Sequence, residues 1–237
     1  MRRLTAGLRE FILYQRRLGL QWLEGTMPPK QPDKVKPAPA HAAALEPQID
    51  FSLADIRQEM GDCQRCKLGK TRTNLVFGTG NPQARLIFIG EAPGADEDRQ
   101  GEPFVGAAGQ LLNRLLAKLG LSRDEVYITN VVKCRPPRNR NPEADEIAAC
   151  RPFLIKQVQA IHPRLIVALG AVAIHALLET KTPLTRLRGH WQNWQGCALM
   201  PTFHPSYLLR VPQDRHKTWE DMQKVLAVYR GEAQPGT

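Results

Sequence analysis

The sequence predicts an α/β fold in three layers, with a mostly parallel sheet between two layers of helices. Strand and helix patterns alternate along the chain from residue 51 onward, and the predicted strands are continuous apolar runs rather than alternating ones. Continuous apolar strands are typical of sheets that are covered on both faces, and helical connections join neighbouring strands that run parallel. Together these observations favour a doubly covered parallel sheet.

The individual elements follow from hydrophobic periodicity, taken in chain order. Strands are predicted at residues 85–90, 126–132, 164–170 and 198–203. Helices are predicted at residues 106–119, 142–161, 171–178 and 216–229. The first of these helices carries its leucines on one side, at Leu111, Leu112, Leu115, Leu116 and Leu119. Each predicted strand is therefore followed by a helix, as in repeated βαβ units.

The folded domain is expected to span residues 51–230, with a short tail at 231–237. Apolar residues recur at helical spacing near the start of the chain, so residues 1–25 are predicted to form an amphipathic helix with an unspecified partner. Residues 26–50 contain six prolines and an alanine run. That composition favours an extended linker, which we expect to be disordered.

The composition points to a polyanionic partner. The formal net charge is +10 and the isoelectric point is near 9.7, and cationic surfaces gain affinity for nucleic acids by releasing condensed counterions. No apolar run approaches the roughly 18 residues of a membrane span, and arginines interrupt the first 24 residues. We therefore expect no membrane partner and no secretory signal, and a cytoplasmic, nucleoid-associated location.

Polar residues with complementary chemistry follow three of the predicted strands. Glu91 follows the first strand, Asn130 lies at the end of the second, and His204 follows the fourth. Ligands of open parallel sheets bind at the carboxyl ends of the strands. A carboxylate, an amide and an imidazole are therefore expected to face one cleft.

Four of the five cysteines form a candidate metal site. Cys63 and Cys66 are separated by two residues near the end of the first predicted helix of the domain, and Cys134 and Cys150 follow at a distance. Four thiolates can bind either zinc or an iron–sulfur cluster, and the spacing alone does not distinguish these or exclude unligated cysteines. Cys197 has no partner in the pattern and is expected to be a packing residue.

The chain resembles the family 4 uracil-DNA glycosylases of bacteria and archaea from about residue 51 to residue 229. The shared motifs are G-E-A-P-G at residues 90–94, G-E-P-F-V-G at 101–106, T-N-V-V-K-C-R-P at 129–136 and H-P-S-Y-L-L-R at 204–210, together with the four cysteines. The resemblance implies a four-stranded parallel sheet and excision of uracil from DNA, the first step of base excision repair. It also implies a [4Fe–4S] cluster on Cys63, Cys66, Cys134 and Cys150, with zinc as the alternative.

The resemblance also implies roles for individual residues in uracil binding. The uracil-binding set is Gly90, Glu91, Ala92, Glu97, Phe104, Asn130 and His204. Phe104 would stack on the flipped base and Asn130 would read its N3–H and O4. His204 would donate a hydrogen bond to O2, Glu91 would position water or stabilise the sugar cation, and Glu97 would lie against C5 to exclude thymine.

Two further segments are expected to contact DNA. The segment that follows His204 places Leu208 and Leu209 beside Arg210, a composition suited to wedging into the base stack and contacting phosphate. The cations around Cys134 are expected to form a basic loop that faces DNA, comprising Lys133, Arg135, Arg138 and Arg140.

Alternative functions are a non-catalytic or covalently trapping uracil-DNA-binding protein of the same fold, or an unrelated hydrolase with a zinc site. Family 5 glycosylases carry an apolar residue at the position of Glu91, so the carboxylate favours family 4. Uracil-DNA glycosylase X carries a nucleophilic histidine in the loop after the second strand. Residues 135–142 of this chain, which occupy that place, contain no histidine. These differences favour a monofunctional glycosylase. We expect it to act as a monomer.

Overall fold

A computed structural model describes residues 51–236 of the chain. The predicted N-terminal helix at 1–25 and the predicted linker at 26–50 lie outside the described residues. Among residues 51–236, no helix combines the length and the apolar character needed to cross a lipid bilayer.

Six strands and eight α-helices follow one another in the described part of the chain. The strands are β1 Thr79–Gly80, β2 Leu86–Gly90, β3 Tyr127–Asn130, β4 Leu165–Leu169, β5 Gln192–Trp194 and β6 Cys197–Thr202. The helices are α1 Leu53–Met60, α2 Ala95–Gln100, α3 Ala107–Leu119, α4 Ala144–Ile161, α5 Ala171–Leu178, α6 Leu184–Leu187, α7 Pro205–Arg210 and α8 Arg215–Arg230. All four predicted strands and all four predicted helices are present within a few residues of their expected bounds.

The strands form one sheet in the order β1-β3-β2-β4-β6-β5. The four central strands are parallel, which confirms the predicted four-stranded parallel core. The two edge strands are antiparallel additions that the sequence did not predict. Because β2, β3, β4 and β6 run in one direction, the residues that follow them are brought to the same edge of the sheet.

Alternate residues of each central strand face opposite helical layers, as β-pleating requires. In β2, Leu86 and Phe88 pack with apolar residues of α3 and α8, whereas Ile87 and Ile89 pack with those of α4 and α5. The sheet is therefore buried on both faces, and the predicted three-layer α/β/α architecture is confirmed.

The edge strands were missed because they are too short for a period-two pattern to be visible. β5 has three residues and joins β6 through a two-residue turn in which Gln195 and Gly196 both adopt positive φ angles, of 52° and 78°. Two consecutive positive φ angles are the mark of a tight hairpin whose twist matches that of the strands.

Candidate active site

A cleft of about 590 Å³ lies at the carboxyl ends of the central strands. It is lined, among others, by Glu91 after β2, Asn130 at the end of β3, Gly170 after β4 and His204 after β6. The predicted convergence of a carboxylate, an amide and an imidazole is therefore present in the structure. A cleft of this volume is large enough for a small-molecule-sized ligand group.

Asn130 lies at the floor of the cleft with an unsatisfied acceptor. The residue is 1% exposed, and its Oδ1 atom is buried without a hydrogen-bond partner among the described residues. A Cβ atom at the adjacent Gly90 would lie 2.4 Å from this oxygen, so only glycine fits beside it. Buried polar atoms are nearly always paired, so this oxygen indicates a ligand that carries a donor.

Phe104 forms one wall of the cleft. The residue is 5% exposed, and its ring centroid lies 5.6 Å from that of His204. The backbone of Phe104 has φ +55°, the left-handed region that bulky residues rarely adopt. The loop that carries this ring must therefore be held by its surroundings.

Glu97 provides part of that support. One oxygen of its buried carboxylate accepts hydrogen bonds from the backbone N–H groups of Val105 and Gly106, at 3.0 and 2.9 Å. The other accepts from Gly94 N–H at 3.0 Å. Glu97 lines the cleft, and both of its carboxylate oxygens are bonded to the protein backbone, so its predicted contact with uracil C5 stays a prediction.

His204 is held in one orientation at the start of α7. Its Nδ1 atom accepts from the backbone N–H of Ser206 at 3.1 Å and lies 2.7 Å from the Ser206 hydroxyl. Burial, assisted by the charge of Arg210, lowers the pKa of His204 to about 4. The imidazole is therefore neutral near pH 7, and because Nδ1 accepts a hydrogen bond, its proton lies on Nε2, which can donate to a ligand.

Glu91 supplies the carboxylate of the cleft. It directly follows β2, and burial raises the pKa of its side chain above the ordinary value. No cation among residues 51–236 offsets that effect. A partly desolvated carboxylate of this kind interacts strongly with positive charge that develops nearby.

The structure separates the two leucines of α7. Leu208 is 4% exposed and packs in the apolar interior near α3 and α8, whereas Leu209 is 37% exposed and Arg210 lies at the surface. Leu208 was predicted to contact DNA, but its side chain is buried in the core, so that contact stays a prediction without support from its exposure. Leu209 and Arg210 are the members of the segment that are free to reach a ligand.

The basic loop around Cys134 is also different from the prediction. Lys133 is fully buried, and its ammonium group donates to Thr129 Oγ1 at 2.6 Å and to the Asn130 carbonyl at 2.7 Å. It therefore faces the interior and cannot face DNA. Arg138 is exposed, whereas Arg140 forms a bidentate ion pair with the buried Glu146.

The four predicted cysteine ligands surround one small cavity beneath this loop. The cavity is lined by Cys63, Cys66, Cys134 and Cys150. Arg65 donates to Cys63 Sγ at 3.5 Å and Arg72 donates to Cys134 Sγ at 3.4 Å. Among residues 51–236, no group of three or more Cys, His, Asp or Glu side chains is arranged to hold a single metal ion. Four thiols that share one cavity, with cations beside them, fit a thiolate-bound group with a net negative charge.

Ser206 and Gly170 are cleft residues next to His204 that were not predicted from the sequence. Ser206 orients His204, and its position two residues after a histidine at a helix start is a recognisable capping pattern that could have indicated this. Gly170 has φ +90°, and a Cβ atom there would lie 2.8 Å from His204 Cβ. A glycine between a strand and a helix was the available signal.

The fold and the site together define an α/β protein with a cleft at the carboxyl ends of its parallel strands, lined by a carboxylate, an amide, an imidazole and an aromatic ring. The family model described as the uracil DNA glycosylase superfamily matches residues 77–227, so the chain belongs to this superfamily. Within it, the chain is similar to proteins named type-4 uracil-DNA glycosylase, which confirms the resemblance seen in the sequence.

Three of these relatives align with about three quarters of this chain. The protein from Sulfurisphaera tokodaii is 45% identical over 183 residues, which is 73% of this chain and 83% of the relative. The Archaeoglobus fulgidus protein is 45% identical over 182 residues, covering 73% of this chain and 92% of the relative. The Thermotoga maritima protein is 45% identical over 181 residues, covering 75% of this chain and 94% of the relative.

Proposed function

We propose that this chain is a monofunctional uracil-DNA glycosylase that initiates base excision repair. It extrudes uracil from DNA into the cleft and hydrolyses the bond between the base and deoxyribose, leaving an abasic site. The observation that carries this proposal is the buried, unpaired Oδ1 atom of Asn130, which lies beside Gly90 in the cleft that the ring of Phe104 also lines.

Base recognition follows from the amide of Asn130. Its Oδ1 accepts a hydrogen bond from uracil N3–H, and its Nδ2 donates to uracil O4. Cytosine presents an acceptor at N3 and a donor at C4, so both contacts would be mismatched. A buried unpaired polar group costs about 1–3 kcal/mol, so the amide discriminates strongly against cytosine.

Bond cleavage places negative charge on the uracil and positive charge on the sugar. The Nε2–H of the neutral His204 donates a hydrogen bond to uracil O2, where the leaving base accumulates charge. The Glu91 carboxylate stabilises the oxocarbenium-like sugar and orients the water that attacks C1′. Water supplies the hydroxyl group that remains on the sugar and the proton that the uracil anion takes up.

We further propose that Glu97 shapes the C5 side of the uracil pocket through the loop that it holds. Both oxygens of its carboxylate accept hydrogen bonds from backbone N–H groups, those of Gly94, Val105 and Gly106. The exclusion of the thymine methyl group then depends on the position of this loop.

The activity is tested with a duplex oligonucleotide that contains one uracil, followed by alkaline cleavage of the product strand. The wild-type chain is expected to produce strand scission, and Asn130→Ala to reduce kcat/KM by at least tenfold. Asn193→Ala, an exposed residue of edge strand β5, is the matched control and should retain full activity. The absence of scission on both U·G and U·A duplexes by the wild type, despite binding of the DNA, would refute the glycosylase proposal and leave a non-catalytic binding protein.

We propose that Cys63, Cys66, Cys134 and Cys150 bind a [4Fe–4S] cluster. The shared cavity and the flanking arginines support this ligand set. Such a cluster, when bound, cross-links the segment after α1, the exit of β3 and helix α4. The experiment is the metal content and absorbance of anaerobically prepared protein, in which iron and a broad band near about 400 nm are expected. Stoichiometric zinc without this band would refute the assignment, and Cys197→Ser is the control for Cys150→Ser.

Leu209, Arg210 and Arg138 are proposed as the DNA-facing residues. Leu209 and Arg210 are neighbours at the exposed end of α7, and Arg138 lies on the exposed loop after β3. An apolar side chain beside cations is suited to entering a base step while phosphates are neutralised. The cytoplasmic location and the monomeric state stay predictions from the sequence.

A further inference from the structure

Arg123 lies on a hydrogen-bonded turn between α3 and β3 and is not one of the residues that line the cleft. The turn is closed by Glu125, whose carboxylate accepts from Ser122 N–H at 2.8 Å and from the Ser122 hydroxyl at 3.0 Å. The Arg123 side chain is 24% exposed. Its position is therefore determined by a local turn that is directly joined to the strand carrying Asn130.

The guanidinium group of Arg123 bonds two successive carbonyl oxygens of the loop that carries Phe104. Its Nη2 donates to Pro103 O at 2.7 Å and its Nη1 donates to Phe104 O at 3.1 Å. Nη1 also lies 3.1 Å from Asn113 Oδ1, an acceptor on α3. A planar, forked donor suits two adjacent carbonyl groups in a way that a single ammonium group does not.

These bonds act on a backbone that is unfavourable in isolation. Phe104 has φ +55°, and an aromatic side chain is rarely tolerated in the left-handed region unless the surroundings enforce it. Arg123 bonds the carbonyl side of the loop at residues 103 and 104, while Glu97 bonds the N–H side at Val105 and Gly106. The two side chains together define the direction in which the Phe104 ring points.

We propose that Arg123 is a positioning residue for base stacking, acting through Phe104. This inference rests on the proposed function, because it assigns Arg123 a part in uracil binding at the same site. Both terminal nitrogens of Arg123 donate to acceptors within the protein, and two of these three bonds go to the loop that carries Phe104. Its nearest carboxylate oxygen, on Glu102, lies 4.0 Å away, so the carbonyl bonds are the closer contacts.

The test is a double-mutant cycle that combines Arg123→Met with Phe104→Ala. Stacking of a base on an aromatic side chain is worth a factor of about 5 to 150 in binding. We expect Arg123→Met to lower kcat/KM about tenfold, and not by more than Phe104→Ala does. In the Phe104→Ala background, Arg123→Met should cause less than about a twofold further loss, because residues that act through one another are non-additive.

Two further variants separate positioning from charge and from folding. Arg123→Lys keeps the charge but loses the fork, so it should recover only part of the activity. Arg164→Met is the control. It removes an exposed arginine just before β4, at the amino ends of the strands and therefore away from the cleft, and it should leave kcat/KM unchanged. Thermal unfolding of each variant shows whether the compared proteins are folded.

Equilibrium binding of free uracil to the same proteins gives a second readout that needs no turnover. The dissociation constant should rise about tenfold in Arg123→Met and show the same non-additivity with Phe104→Ala. Additive losses in either cycle, or full activity in Arg123→Lys, would overturn the inference. A wild-type protein that binds uracil but does not excise it would refute the proposed function. The double-mutant cycle on the dissociation constant of uracil would still test the positioning role of Arg123.

Discussion

Replacing Glu97 by glutamine tests whether its carboxylate holds the loop that carries Phe104. The substitution keeps the size of the side chain and changes only one terminal atom from an acceptor into a donor. In the native protein one carboxylate oxygen serves Val105 and Gly106, and the other serves Gly94. The most favourable orientation of the new amide retains the first two bonds and turns its NH₂ group toward Gly94 N–H.

The expected loss of stability follows from this one mismatched contact. A buried donor left unpaired costs about 1–3 kcal/mol. For a domain of roughly 150–250 residues, each 1 kcal/mol lowers the midpoint of unfolding by about 2–4 °C. Glu97→Gln should therefore unfold about 2–12 °C below the wild type, and its excision rate should fall because the Phe104 ring is less well placed.

The assay compares thermal unfolding and uracil excision of Glu97→Gln with those of Glu232→Gln. Glu232 is an exposed residue after α8, so its substitution should change neither quantity. An unchanged unfolding midpoint together with unchanged uracil excision would refute the supporting role of the carboxylate. An unchanged midpoint with new activity on thymine would instead show that Glu97 acts directly at C5.

The remaining predictions concern pH, the helix α7 and the buried lysine. Burial raises the pKa of Glu91 above 4.5, so kcat/KM is expected to fall with decreasing pH through a value above 4.5, where the carboxylate becomes protonated. The pKa of His204 is lowered from 6.5 to about 4, so an inflection near pH 6.5 that disappears in His204→Asn would contradict the neutral imidazole. Leu209→Ala should weaken excision in duplex DNA without changing the unfolding midpoint. Leu208→Ala should instead lower the free energy of unfolding by about 2–5 kcal/mol. Equal unfolding midpoints for the two variants would show that Leu208 is not a core residue. Lys133→Met should lower the midpoint by several degrees, because Thr129 Oγ1 and the Asn130 carbonyl lose their buried donor, and an unchanged midpoint would argue against that role.

The central strands were predictable because each is a continuous apolar run. In β2, residues on both faces are buried, so every position from Leu86 to Ile89 is apolar and the strand is visible without its neighbours. The edge strands β1 and β5 were not predictable, since two or three residues carry no periodicity. Their pairing depends on contacts with β3 and β6 that are distant in sequence or formed by a tight turn.

The convergence of Glu91, Asn130 and His204 was predictable for a similar reason. Each residue lies at or just after the carboxyl end of a strand, and parallel strands bring those ends together. The supporting residues were harder to find. Arg123 bonds Phe104 and Pro103, which precede it by 19 and 20 residues in the chain. No local sequence pattern predicts a contact of this kind.

The sequence by itself determined the core of the sheet, because the core depends on hydrophobic periodicity. It also determined which residues lie at the carboxyl ends of the strands and which cysteines lie near one another, because these depend on strand order and on motifs. Only the tertiary structure decided the direction of individual side chains. Leu208 and Leu209 are adjacent and chemically identical, yet one fills the core and the other lies at the surface, because a helix turns about 100° per residue. Lys133 lies close to three arginines in the sequence but is enclosed in the protein, where the hydroxyl of Thr129 and the carbonyl of Asn130 compensate for its lost hydration.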